Sequence, residues 1–280
     1  MGSPLIFVTN DDGIESPGLR AAVEAVLPLG DVLVVAPSEQ QTSMGRSMPP
    51  TDGVLHPVDY VVNGVQVPAY HIHGAPAQAV LYGFLVLCAD RKPDVLVSGV
   101  NYGENLGTGI TISGTVGAAL QGASMGVPSL AVSLETSHEF HYHHGDVDWH
   151  TAVHFTRMFT ERLLDCPMPF DVDVLKVDIP ADATPETPWQ LTRLSRHSYY
   201  VSYIQSPLGG ELLGGKVGYR VGVRPEELEP GTDVYAFLIE RVVSVTPLSL
   251  DMTSRVDFGH LQHLLAEEEP CERRPTPTSS

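Results

Sequence analysis

Residues 5–13 read Leu-Ile-Phe-Val-Thr-Asn-Asp-Asp-Gly, and this stretch predicts both a buried strand and a site at its end. Its first five residues are apolar or β-branched, which is typical of a strand covered on both faces. The strand leads into Asp11-Asp12-Gly13, where a turn at the glycine would let both carboxylates converge on one cation. Because Asp-Asp-Gly is also a common turn sequence, the motif alone does not assign a function.

Short apolar runs alternate with helical patterns through the first half of the chain. Further strands are predicted at Val32–Ala36, Val95–Val97 and Ser129–Leu134. Helices are predicted after Ser16-Pro17, near Pro76 and over Gly114–Met125. The inward face predicted for the second of these helices comprises Ala77, Val80, Leu81, Phe84, Leu85 and Cys88. This alternation predicts an α/β fold, a Rossmann-like, doubly wound and mostly parallel sheet, whose ligands lie beyond the carboxyl ends of the strands.

The second half of the chain is less regular. Apolar spacing predicts an amphipathic helix around 152–163 and strands at 172–179 and 234–245, while residues 190–232 alternate in a way that favours hairpins outside the main sheet. We therefore expect a Rossmann-like catalytic core over 1–189, a protruding hairpin and oligomerisation segment over 190–232, a C-terminal strand and helix returning to the core over 233–266, and a disordered tail over 267–280.

The composition narrows the class of ligand. The chain has 280 residues, 42% of them hydrophobic, and a net charge of −18 from 16 Lys and Arg against 34 Asp and Glu. Such an acidic surface repels a polyphosphate backbone, so we expect no nucleic acid duplex as a partner. Three widely spaced cysteines and the lack of a signal sequence or a membrane-length apolar run favour a cytoplasmic protein with no membrane partner.

Two further loops follow predicted strands and carry oxygen and amide groups to the same edge of the sheet. The loop 38–47 is rich in hydroxyl groups, and the loop 98–109 is rich in Asn and Gly. Ser113-Gly114-Thr115 then opens a helix whose free N–H groups favour a phosphate. Each segment alone also fits an ordinary loop or helix cap. Together they offer carboxylate, hydroxyl and carboxamide oxygens, the ligands that Mg²⁺ or Mn²⁺ prefers, and predict a metal-assisted phosphate site.

Three of these motifs carry a resemblance to a known family. Asn10-Asp11-Asp12-Gly13, Ser98-Gly-Val-Asn-Tyr-Gly-Glu-Asn105 and Ser113-Gly114-Thr115-Val116 resemble the defining motifs of the SurE family, the survival-protein 5′/3′-nucleotidases. Thr232-Asp233, continuing through residues 243–248, is similar to the C-terminal strand of that family. The resemblance is clearest over residues 5–134 and 232–253.

The resemblance implies roles for particular residues. The implied ligands of one divalent cation per subunit, Mg²⁺ or Mn²⁺, are Asp11, Asp12, Thr42 and Asn101. Asp11, Asp12 and Asn101 would also be catalytic. Phosphate would bind around Asn105, Ser113, Gly114 and Thr115. Asn10 is a further possible site residue, and Ser43 is the hydroxyl donor that competes with Thr42. The implied reaction is hydrolysis of nucleoside 5′- or 3′-monophosphates, in some members also of short polyphosphate, by homodimers or homotetramers that exchange C-terminal elements.

Two positions depart from the family pattern. The family usually has Ser where this chain has Thr42, and Gly-His-Ser where this chain has Gly45-Arg46-Ser47. Thr42 keeps the hydroxyl oxygen, whereas Arg46 removes a possible proton donor to the leaving group.

Two other functions are open at this point. A haloacid-dehalogenase-type phosphatase would need a D-x-D-G arrangement, which Asn10-Asp11-Asp12 does not match. A nucleotide-binding regulatory protein without turnover would use the same phosphate site, and release of phosphate would distinguish it from an enzyme.

A histidine-rich stretch is interpreted as an exposed loop followed by the start of a helix. Its members are His138, His141, His143, His144, His150 and His154. The last two would share a helix face, so adventitious or regulatory metal binding is the alternative.

Overall fold

The computed structural model describes residues 2–137, 140, 145–205 and 215–266. The chain divides into two compact units, residues 1–250 and residues 251–280. The predicted tail over 267–280 and the histidines at 138, 141, 143 and 144 lie outside the described residues. Within the described parts, none of the helices is both long and apolar enough to cross a bilayer.

The first unit is built around a nine-stranded sheet. The described strands are β1 (Leu5–Thr9), β2 (Asp31–Pro37), β3 (His56–Val58), β4 (Val61–Val62), β5 (Val65–Gln66), β6 (Ala69–Ile72), β7 (Val95–Tyr102), β8 (Ser129–Leu134), β9 (Val174–Ile179), β10 (Trp189–Leu191), β11 (Tyr200–Gln205), β12 (Lys216–Val221) and β13 (Val243–Leu248). The main sheet has the order β10-β13-β9-β8-β7-β1-β2-β6-β3. Only its β13–β9 and β3–β6 pairs are antiparallel, so the sheet is mostly parallel, as predicted.

Helices cover both faces of this sheet. The described helices are α1 (Pro17–Val26), α2 (Pro76–Tyr82), α3 (Gly114–Ser124), α4 (His150–Asp165), α5 (Asp233–Tyr235) and, in the second unit, α6 (Phe258–Ala266). Leu19 of α1 and Phe155 of α4 belong to one apolar core, and Val80 of α2 and Val116 of α3 belong to the other. The two cores confirm the doubly wound α/β architecture.

Strand β1 shows why an uninterrupted apolar run forms the centre of such a sheet. Ile6 and Val8 point into the core that contains α1 and α4, whereas Phe7 points into the core that contains α2 and α3. All three side chains are fully buried. Because successive side chains of a strand point to opposite faces, only a run of apolar residues satisfies both cores.

The inward face predicted for the helix near Pro76 is wrong at one position. Leu85 is 62% exposed, while Val80, Phe84 and Cys88 are buried. The α-helix α2 ends at Tyr82 and continues as a π-helix over Gly83–Leu87. The wider turn changes the angle between successive side chains, so a projection at 3.6 residues per turn fails beyond Tyr82.

The strand predicted over Val234–Val245 is also only partly present. Residues 233–240 form α5 and a π-helical turn, and β13 begins at Val243. Val234 and Phe237 are fully buried and Ile239 is 43% exposed, a spacing that suits a helix rather than a strand. The apolar composition was consistent with either element, and burial of Val234 and Phe237 against Leu106 and Tyr199 favours the helix.

Strands β11 and β12 pair with each other in a separate antiparallel sheet. The alternating apolarity of this region predicted such a hairpin outside the main sheet. Strand β10, at the start of the same region, instead joins the edge of the main sheet beside β13.

Candidate active site

The carboxyl ends of β1 and β7 bring the predicted motifs together. The two strands are parallel neighbours, and Thr9 pairs with Ser98. Gly13 follows with a φ of +94°, and a Cβ there would lie 3.0 Å from the carbonyl carbon of Glu39. A glycine is therefore required for the turn that places Asp11 and Asp12 at this edge.

Asp11 lies against the first turn of α3. Its Oδ1 accepts a hydrogen bond from Thr115 Oγ1 at 2.6 Å. A Cβ on Gly114 would lie 2.7 Å from the Cβ of Asp11, so the helix can approach this closely only with glycine there. Burial raises the pKa of Asp11, although the Thr115 hydroxyl and the backbone N–H groups of Thr115 and Gly114 oppose that rise.

Asp12 is held by two neutral donors from other loops. Gln40 Nε2 donates to Oδ1 at 3.0 Å, and the backbone N–H of Tyr102 donates to Oδ2 at 3.1 Å. Burial and then the neighbouring charge of Asp11 raise the pKa of Asp12 far above its usual range. A cation beside the two carboxylates would remove both costs.

Asn101 lies at the carboxyl end of β7, and Asn105 lies in the loop that follows. Asn101 Nδ2 donates to the carbonyls of Tyr102 and Gly103 at 3.2 and 2.6 Å, which leaves Oδ1 as the amide atom able to ligate a cation. Asn105 Nδ2 donates to Ser133 Oγ at 2.9 Å, so its Oδ1 is likewise the atom that could bind a ligand.

Thr42 and Ser43 lie in the loop after β2 and are exposed. The loop is fastened to β1 one residue earlier, where Gln41 N donates to the carbonyl of Asp11 at 2.7 Å. Ser43 has a left-handed φ of +62°. Among the described residues, neither hydroxyl forms a hydrogen bond with Asp11 or Asp12.

Ser113 caps α3, because its Oγ accepts a hydrogen bond from Val116 N at 3.2 Å. Asn10 Nδ2 donates to Gly13 O at 3.1 Å and stabilises the turn. Asn10 Oδ1 is buried and has no hydrogen-bond partner among the described residues. An unpaired buried oxygen beside two carboxylates fits a site that a cation or its bound water completes.

The donor set suits a hard divalent cation better than zinc. No group of three or more His, Cys, Asp or Glu side chains able to hold a metal occurs in the described part of the chain. The candidate ligands are instead the carboxylates of Asp11 and Asp12 and the amide oxygens of Asn10 and Asn101. Oxygen ligands of this kind are preferred by Mg²⁺ and Mn²⁺.

Arg46 stands where the family usually has histidine. Its side chain contacts the later turns of α3. Its Nε donates to Gln121 Oε1 at 2.9 Å, and its guanidinium also donates to Ser124 Oγ at 2.6 Å. Both partners lie toward the end of the helix opposite Ser113.

Some site residues were not identified from the sequence. Gln40 contacts Asp12 directly but lies in a loop with several polar residues, where nothing in the pattern singled it out. Lys176 and Asp178 form hydrogen bonds with the backbone of Asn105. The sequence does contain a pattern that could have identified them. Two charged residues, two positions apart, interrupt the otherwise apolar strand β9, so their side chains share one buried face.

The chain is similar to proteins of one known family. Residues 6–201 match the family model described as Survival protein SurE. The 5′-nucleotidase SurE of Thermococcus kodakarensis is 44% identical over 267 residues, which cover 93% of this chain and 98% of the relative. The 5′-nucleotidase SurE of Methanocella arvoryzae is 41% identical over 269 residues, with 94% and 98% covered.

A solved structure supports the same assignment. The crystal structure of the SurE protein from Aquifex aeolicus is 30% identical, has a TM-score of 0.74, and matches 94% of this chain and 100% of that chain. The chain has two carboxylates at the end of β1, a helix α3 that begins at Gly114, and relatives that match nearly its whole length. It therefore belongs to the SurE family.

Proposed function

We propose that this protein hydrolyses nucleoside 5′-monophosphates to nucleoside and phosphate with one divalent cation per subunit. As a SurE-family member it is a nucleotide phosphomonoesterase, and the family is metal-dependent. We propose the position of the phosphate on the sugar, the identity of the cation and the roles of individual residues. We propose Mg²⁺ or Mn²⁺ as the cation, and 3′-monophosphates and short polyphosphate as additional substrates to be tested.

One observation carries this proposal. Asp11 and Asp12 are adjacent, 6% and 4% exposed, and contacted by neutral donors only in the described structure. Two buried carboxylates in contact with neutral donors are costly when ionised. The pair lies against the N-terminus of α3, and a helix N-terminus favours anions. A cation held by the pair would therefore lie beside a place that suits a phosphate.

Asp11, Asp12 and Asn101 would hold the cation, and Thr42 would join them directly or through a water. When bound, the cation supplies polarisation of a phosphoryl oxygen and acidification of water. Thr115 and Gln40 orient the two carboxylates through the hydrogen bonds described above. The carboxylate of Asp11 or of Asp12 takes the proton of the attacking water.

The phosphate would lie between the Asn105 loop and the first turn of α3. Asn105 offers its side-chain amide, and the residues Ser113, Gly114 and Thr115 offer the start of the helix. Part of that helix end is already directed at Asp11, since Thr115 donates to it. Arg46 is fixed to Gln121 and Ser124, so it does not protonate the leaving oxygen.

Phosphate release from a panel of nucleotides tests the proposal. Purified protein would be assayed with 5′- and 3′-monophosphates and tripolyphosphate, in the presence of Mn²⁺, Mg²⁺ or excess chelator. We expect turnover of 5′-monophosphates that chelator abolishes and added cation restores. Tight binding of the nucleotide with no phosphate release would instead support a regulatory protein, and full turnover in chelator would exclude the metal.

We also propose that the protein is a homodimer or homotetramer. Large apolar side chains are exposed on the hairpin and on α6, among them Val217 at 74% and Leu265 at 78%. Exposed apolar surface of this kind is typical of an interface. Light scattering that shows a monomer at micromolar concentration would rule this out.

A further inference from the structure

We propose that Lys176, together with Asp178 and Asp233, positions the phosphate-binding loop by holding the backbone of Asn105–Gly107. These three residues, called the Lys176 cluster below, touch neither of the two site carboxylates in the described structure. The inference rests on the proposed function, because it takes the Asn105 loop as the phosphate-binding segment. It adds residues that act through the loop and do not touch the substrate.

The side chains of the cluster are all fully buried. Lys176 and Asp178 lie two residues apart on β9 and therefore share one face, and Asp233 opens α5. Lys176 Nζ forms ion pairs with Asp178 and, at 3.2 Å, with Asp233 Oδ2. Burying three charged groups is costly unless each is paired and hydrogen-bonded, so their presence together needs an explanation.

Lys176 uses its third donor on the loop. Nζ donates to the carbonyl oxygen of Asn105 at 2.8 Å. A lysine ammonium has three N–H donors, and here two go to carboxylates and one to this carbonyl. The charge of Lys176 therefore fixes a backbone atom of the residue whose side chain is proposed to bind phosphate.

The two carboxylates hold the same segment through its N–H groups. Asp178 Oδ1 accepts from the N–H of Asn105 at 2.7 Å, and Asp233 Oδ2 accepts from the N–H of Gly107 at 2.9 Å. Asp233 Oδ1 also accepts from the N–H of Ser195 at 2.8 Å. The cluster thus binds the amide and carbonyl of Asn105 and the amide of Gly107.

This arrangement suits positioning better than general stabilisation. An apolar core of equal volume is usually at least as stable as a buried ion cluster, so stability alone does not call for these charges. Residues 103–106 have no helix or strand to hold them, and the loop leads through the Thr108–Thr111 turn to Ser113. The cluster therefore sets where Asn105 lies relative to the start of α3.

The test uses Asp233→Asn, which keeps the shape but replaces one acceptor oxygen by an amide nitrogen. Hydrogen bonds to charged groups are worth about 1.5–3 kcal/mol, so we expect KM to rise about tenfold or more. The inhibition constant of inorganic phosphate should rise equally, with kcat and the Mn²⁺ concentration for half-maximal rate within about twofold of wild type. Amide hydrogen exchange at Asn105 and Gly107 should become faster.

Thr160→Val is the matched control. Thr160 is fully buried in α4, where its hydroxyl donates to Thr156 O at 2.7 Å, and it has no contact with the cluster. We expect it to lower the melting temperature while leaving KM and phosphate inhibition unchanged. If Asp233→Asn lowers the melting temperature but leaves KM, phosphate inhibition and exchange at Asn105 unchanged, the inference is overturned.

Two further measurements keep the outcome decisive. Should Asp233→Asn fail to fold, Asp178→Asn removes one charge of the same cluster and is judged by the same readouts. Should the wild-type protein release no phosphate, the proposed function fails, but calorimetric binding of inorganic phosphate by wild type and variant still decides the inference. Equal affinity of the two proteins for phosphate would then overturn it.

Discussion

The acidic pair at the end of β1 and the Lys176 cluster beneath the neighbouring loop are both buried charges of one sheet, but their neutralisation differs. In the described part of the structure, Asp11 and Asp12 are contacted only by neutral donors, namely Thr115, Gln40 and backbone amides. The carboxylates of Asp178 and Asp233 have the ammonium of Lys176 between them. The ammonium of Lys176 neutralises the cluster, which holds backbone groups, whereas we propose that the pair is neutralised by a cation from solution.

This contrast would be tested most severely by Lys176→Met. The substitution keeps an unbranched side chain, shorter by one atom, and leaves two buried carboxylates without the Lys176 ammonium, so we expect the free energy of unfolding to fall by about 3–5 kcal/mol. Lys216→Met, at an exposed lysine of β12, is the matched control and should change it by less than about 0.5 kcal/mol. Denaturant unfolding measures both, and equal stability of the two variants would remove the distinction.

The acidic pair should respond in the opposite way to loss of a charge. Asp12→Asn is expected to lower kcat/KM by about a hundredfold or more, since even residues that only support a metal ligand cost about ten- to hundredfold. The metal-free variant should be at least as stable as the metal-free wild type, because the repulsion from Asp11 is gone. Activity assays and unfolding curves check the two halves, and substantial turnover by the pure variant would exclude the proposed site.

The pH dependence of stability sharpens the same contrast. In the metal-free fold the pKa of Asp12 is raised above its ordinary value of 3.8, because of burial and the charge of Asp11. As pH rises above about 4, the unfolded chain ionises first, so this group makes the fold progressively less stable up to the raised pKa. Each pH unit between the two pKa values amounts to about 1.4 kcal/mol.

Unfolding curves measured from acidic to neutral pH, with and without Mn²⁺, test that sign. We expect Asp12→Asn to show a flatter profile than wild type without metal, and Mn²⁺ to flatten the wild-type profile. A metal-free wild type whose stability rises with pH by more than that of Asp12→Asn would contradict the assignment.

The smallest expected effect concerns Thr42, an exposed residue of the loop after β2. If its hydroxyl supports the cation, Thr42→Ser should retain most activity and Thr42→Val should need about ten- to hundredfold more Mn²⁺ for half-maximal rate. The methyl group restricts χ1, so the oxygen must already lie in the right rotamer. Ser43→Ala is the control, and a Mn²⁺ requirement raised only in that variant would move the ligand by one residue.

The comparison also separates what could be predicted from what could not. The bounds of β1 and β8 match the sequence prediction because a strand buried on both faces leaves an uninterrupted apolar run. The π-helical turn after Tyr82 could not be predicted, since it depends on how Phe84 packs against Phe7 with ring centres 4.9 Å apart. For residues 233–240 the apolar spacing was ambiguous until the burial of Phe237 was known.

By itself, the sequence determined the α/β class, the carboxyl edge as the location of the site, and Asp11, Asp12, Asn101 and Asn105 as candidate residues. The fold class, the edge and the acidic pair follow from local signals, namely apolar runs, a glycine turn and polar residues at strand ends, whereas Asn101 and Asn105 follow from the resemblance of residues 98–105 to a SurE motif. Only the tertiary structure brought Lys176 to Asp233, which lies 57 residues away, and Gln40 to Asp12, 28 residues away. Such contacts depend on strand order and the depth of burial, and a linear pattern contains neither.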